Sequence, residues 1–162
     1  EQNFNFEKTI DLMELMDLYK WGLPNQGEYL NKYRDNESLY NMARSLWNSL
    51  DSESFYFMIT FIAIGLVLVC FYYYVYNKWP GRKYRIQHWA LWLGITGVVT
   101  IIAILCLGSA LVTSNLQEKF GFILRISLIS GIYAILIYFV ASLIICNIPV
   151  PTNAYRFLKI GK

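Results

Sequence analysis

FYFMITFIAIGLVLVCFYYYVY (55–76), WALWLGITGVVTIIAILCLGSALV (89–112) and FGFILRISLISGIYAILIYFVASLIIC (120–146) are three long apolar runs, separated by a short basic loop and a short polar one. Each exceeds the roughly 20 helical residues that cross a hydrocarbon core of about 30 Å. No charged residue lies inside the first two runs, and the third holds only Arg125 near its start. A helix of a soluble domain keeps one polar face, whereas these runs are apolar all round. Backbone in lipid must satisfy its own hydrogen bonds, so such runs can only be helices. The expected fold class is an all-α integral membrane protein with three transmembrane helices, preceded by two short amphipathic helices.

Working outward, residues 1–54 form an acidic N-terminal segment. TIDLMELMDLYKW (9–21) places Leu12, Leu15, Met16 and Tyr19 at helical spacing, with Asp11, Glu14 and Asp17 on the other side. Thr9 offers a cap, and Gly22 and Pro24 a stop. Residues 26–33 read equally as a short helix or a loop. Asn36 offers a cap to a second amphipathic helix, Glu37 to Leu50, with Leu39, Met42, Ala43, Leu46, Trp47 and Leu50 on one stripe. Asp51 to Ser54 are read as the cap of the first span. Neither short helix encloses a core, so their stripes must be buried on each other, on the membrane surface or on another protein. Their acidic balance argues against anionic lipid.

Charge distribution says more than the net +3. Residues 1–54 carry ten acids and five bases, while residues 55–162 carry nine bases and one acid, Glu118. The loop after the first span holds Lys78, Arg82, Lys83 and Arg85; the loop after the second is neutral; the tail 148–162 is basic. The positive-inside rule then sets the N-terminus outside and the C-terminus inside, in the cytoplasmic (inner) membrane. Tyr72, Tyr73, Tyr74, Tyr76, Trp79, Trp89 and Trp92 fall where an inner aromatic belt is expected. The chain opens at Glu1 rather than Met, which fits either a removed signal peptide or numbering that begins inside a longer product.

Catalytic constellations are sparse. The one histidine, His88, has no carboxylate beside it in sequence and reads as a headgroup-level polar residue. No nucleophile elbow, zinc motif, dinucleotide fingerprint or phosphate loop occurs. The acids of the first 54 residues read as a solvated face. Cys70, Cys106 and Cys146 lack metal spacing and read as small buried hydrophobes. No enzyme activity, cofactor, metal or nucleic-acid partner is expected. Arg125 has two readings. It either snorkels to headgroups or pairs with Glu118, or it faces a neighbouring subunit or a pore.

The spans do carry helix-packing chemistry. Thr96, Thr100 and Ala103 form a small-residue stripe on the second, and Ser127, Gly131 and Ala134 on the third. They serve either to pack one chain's helices together or to form an interface with a partner. The functional expectation is a non-catalytic anchoring or scaffolding subunit of a multi-protein secretion, transport or energy-coupling complex. Its partners are then the bilayer and unlike membrane subunits, hetero-oligomeric rather than homo-oligomeric. The alternative is a small homo-oligomeric channel, and a weaker option an accessory subunit of a membrane enzyme.

Overall fold

The structure, a computed structural model, describes residues 15–76 and 86–147. The described residues are helical, with no strand among them. A 3-10 turn at Leu15–Tyr19 leads to α1 (Gln26–Asn31), then α2 (Glu37–Cys70) with a π-helical turn at Phe71–Val75, α3 (Ile86–Leu111) and α4 (Lys119–Asn147). The stretch carrying the Thr9 cap, the loop holding Lys78, Arg82, Lys83 and Arg85, and the tail 148–162 lie outside the described residues.

Asn25 and Asn36 start α1 and α2 in the same way. The Asn25 side chain accepts a hydrogen bond from the Gly27 amide (3.4 Å), and Asn36 Oδ1 accepts one from the Leu39 amide (3.2 Å). The ambiguous 26–33 stretch is therefore helical over Gln26–Asn31. Of the helix expected over 9–21, the described part is a 3-10 turn.

The expected break between Leu50 and Phe55 does not exist. α2 runs through it for 34 residues, and a π-helical turn extends it to Val75. Ser54 does not cap a new helix: its hydroxyl donates to the carbonyl of Asp51 (2.6 Å), one turn back in the same helix. Ala43, Leu46, Leu50, Ser54, Phe57, Phe61, Gly65 and Val69 are all buried. Their steps of three and four residues keep a single seam in phase across the polar-to-apolar boundary.

Three helices are long and apolar enough to cross a membrane: Glu37–Val75, Ile86–Leu111 and Lys119–Asn147. α2 and α4 run parallel, and α3 lies antiparallel against both. Two buried clusters mark the two ends of the bundle. At one, Tyr19, Leu23 and Tyr29 join Leu46, Leu50 and Phe57 of α2, Ile104 of α3, and Phe122, Ile126 and Ile129 of α4. At the other, Val69, Tyr72 and Tyr73 join Trp89, Tyr138 and Cys146. The amphipathic N-terminal segment thus buries its stripe on the bundle itself and forms a cap at one end.

Candidate functional site

α3 and α4 approach each other closely at their glycines. A methyl group added at Gly131 would sit 2.7 Å from Ile101 Cγ1 and 3.3 Å from the carbonyl oxygen of Gly97. One added at Gly97 would lie 2.7 Å from Ile135 Cδ1, and one at Gly108 2.7 Å from Ile123 Cγ2. On α2, a methyl at Gly65 would be 3.2 Å from the Ala134 carbonyl oxygen. Absent side chains thus let the backbones approach closely.

Thr96, Thr100, Ser127, Gly131 and Ala134 are buried in these contacts, and Ala103 is half-buried at their margin. The hydroxyls are satisfied within their own helices: Thr96 donates to the Trp92 carbonyl (2.9 Å), Thr100 to Thr96 (2.8 Å) and Ser127 to Leu124 (2.8 Å). The two small-residue stripes are joined to each other inside one chain.

At the capped end, the 3-10 turn reaches far down α4. Tyr19 Oη and Ser130 Oγ are 3.2 Å apart, Tyr133 donates to the Leu18 carbonyl (2.7 Å), and Trp21 Nε1 donates to Tyr133 Oη (3.2 Å). Ser130 lies eleven residues beyond Lys119, about 17 Å along the helix. The turn fills the groove between α2 and α4, and its Leu18 carbonyl is bonded by a side chain of the bundle.

Beside the cap opens a cleft of about 460 Å³, lined by Glu28, Tyr29, Lys32, Glu118, Phe122 and Arg125 among others. Lys32 Nζ lies 2.7 Å from Glu118 Oε1, so Glu118 pairs with the cap and not with Arg125 or Lys119. Lys119 instead donates to the Ser109 carbonyl (3.3 Å). The Lys32 hydrogen bond holds the Glu118 carboxyl below the usual carboxylate range and in return raises the lysine. Tyr29 is 5% exposed, and its hydroxyl has no hydrogen bond of good geometry among the described residues. Burial first, and the nearby Glu118 second, push that phenol well above its usual range. Its ring stacks edge-on against Phe122 (4.9 Å) and Tyr33 (5.6 Å).

Arg125 is exposed on α4, and neither it nor Glu28 has an ion-pair partner among the described residues. Its level follows from register. Phe61 stacks beside Tyr133 (5.5 Å), and Gly65 meets Ala134 and Ile137. Counting back along the parallel helices sets Phe55, where the apolar run of α2 begins, level with residues 124–127.

At the far end, three expected belt residues point inward: Tyr72, Tyr73 and Trp89 are 0%, 1% and 8% exposed. The π-helical turn adds a residue to the helical repeat and rotates the aromatic run, so Tyr74 stays outward while its two predecessors enter the core. Tyr73 Oη lies 3.2 Å from Cys146 Sγ, and Trp89 Nε1 donates to Ser142 Oγ (3.2 Å). Cys146 is buried as expected of a small hydrophobe, but Cys70 and Cys106 are exposed on the chain surface. His88 is half-buried, its ring 6.4 Å from that of Tyr76. No group of three metal-ligating side chains occurs among the described residues.

Sequence reasoning placed Tyr19 on an amphipathic stripe without saying which surface receives it, and passed over Tyr29 and Lys32, which lie in the 26–33 stretch that read equally as a short helix or a loop. No family model, curated protein or solved structure matches this chain.

Proposed function

We propose that this chain is a non-catalytic, membrane-anchored scaffolding subunit of a larger complex, inserted with its cap outside. The observation that carries the reading is the contrast between two outward helix ridges. On α4, Phe120, Leu124, Leu128, Ile132, Leu136, Val140 and Ile144 stand exposed at every fourth position. On α3 the corresponding exposed ridge is Ala90, Gly94, Val98, Ile102, Cys106 and Ala110, and nothing lies within 4 Å of a methyl added at Gly94. Bulky side chains suit acyl chains, whereas a ridge of small and β-branched residues suits the close approach of another helix.

A homo-oligomeric channel finds less support. The hydroxyls that would line a water-filled path, those of Thr96, Thr100, Ser127 and Ser130, are turned into the bundle, and the first three are bonded to their own backbone.

The test is purification of the tagged protein in mild detergent, with mass spectrometry of its companions and the mass of the native particle. Unlike subunits in fixed ratio, lost from Gly94→Leu but kept in Leu128→Ala, are the expected result. A homogeneous ring of this chain alone overturns the reading.

A further inference from the structure

We infer that the cleft beside the cap holds the headgroup of a zwitterionic phospholipid bearing a primary ammonium, such as phosphatidylethanolamine. The inference rests on membrane insertion and is independent of the scaffolding role.

Four charged side chains line the cleft, and their pairing is uneven. Lys32 and Glu118 satisfy each other at 2.7 Å. That leaves one cation, Arg125, and one acid, Glu28, without ion-pair partners among the described residues. A spare charge of each sign in one cleft matches a dipolar headgroup better than an anionic one, which Glu28 would repel. The phosphate belongs at Arg125, whose guanidinium offers forked donors to phosphate oxygens. It also lies near the start of α4, where the Lys119 and Phe122 amides are bonded to Leu116 and Glu118 but Gly121 carries no side chain to block its own amide. Tyr29 also lines the cleft wall, its buried hydroxyl beside Glu118. The ammonium belongs at Glu28.

Position favours a lipid over a soluble phosphate ester. Arg125 is level with Phe55, where the apolar run of α2 begins, so the cleft sits at headgroup height. Phe120, Leu124 and Leu128 continue from it as an exposed apolar ridge along which acyl chains can lie.

The experiment uses the full chain, reconstituted in vesicles of equal phosphatidylethanolamine and phosphatidylglycerol, then released for native mass spectrometry of retained lipid. Flotation of the same preparation reports insertion separately. The wild type is expected to retain the ethanolamine lipid in preference. Arg125→Gln should lower total retention about tenfold, the size of a lost charge-assisted hydrogen bond. Glu28→Gln should keep retention but erase the preference, while Lys20→Gln, outside the cleft, should change neither. Equal retention of both lipids by the wild type, or unchanged retention in Arg125→Gln, overturns the site. Displacement of the lipid by soluble phosphoethanolamine at the same concentration overturns the lipid source in favour of a free ligand.

Discussion

A single absent methyl sets how closely α3 and α4 approach at Gly131. Gly131 faces the Gly97 carbonyl, and backbone cannot yield as a side chain can. Gly131→Ala should therefore destabilise the protein by about 1–3 kcal/mol, the usual range for overpacking. Gly94→Ala, with open space around it, should stay within about 0.5 kcal/mol of wild type. Unfolding of both variants in mixed micelles checks the pair. The Lys32–Glu118 contact sets a pH dependence for docking of the cap. Glu118 titrates lower in the folded protein than unfolded, so its contribution is present above the unfolded carboxylate range and is lost as pH falls through the lowered value. Lys32 titrates higher, so its contribution is lost only in strong alkali. Both groups are substantially exposed, so the effect should be small and screened by salt. Protection of residues 26–33 against hydrogen exchange, relative to the unfolded chain at the same pH, should fall in acid at low ionic strength, and Glu118→Gln should flatten that fall.

Among the elements, α2 joins the cap to the apolar bundle as one rod. Spin labels at exposed Ser38 and Ala63, 25 residues apart, should report a narrow distance distribution centred near about 38 Å, from 1.5 Å of rise per residue. A broad or shorter distribution would mean a hinge at Asp51–Ser54. The unbroken helix was legible in principle, because the buried positions from Ala43 to Val69 hold one phase. Polar residues at 51–54 hid it by resembling a helix start, although no glycine or proline interrupts them. The π-helical turn was not legible, since FYYYV carries no residue that forces an extra backbone repeat; only packing of Tyr72 and Tyr73 into the core accounts for their direction.

At the scale of the molecule, the cap behaves as a fourth element of a three-helix bundle. Deleting residues 1–24 should uncover Ile126, Ile129 and Tyr133 and remove the buried Tyr19 and Leu23. That loss is worth roughly 3 kcal/mol or more at 1.5–3 kcal/mol per large apolar side chain. A lower unfolding midpoint and faster exchange along the first half of α4 are the expected readouts, with α3 less affected. The three runs, their helical state and the approximate ends of the second and third helices follow from composition alone, because lipid-length apolar segments have one way to satisfy their backbone. The small residues on the second and third runs could also be recognised as packing positions. Their partner could not, since periodicity marks a face without saying what covers it. Only the tertiary structure joined Gly97 to Gly131 within one chain, seated Tyr19 against Ser130 and turned Glu118 to Lys32, 86 residues away. Contacts between residues so distant along the chain depend on how helices settle against one another in space, and that relation is not written in any local window of sequence.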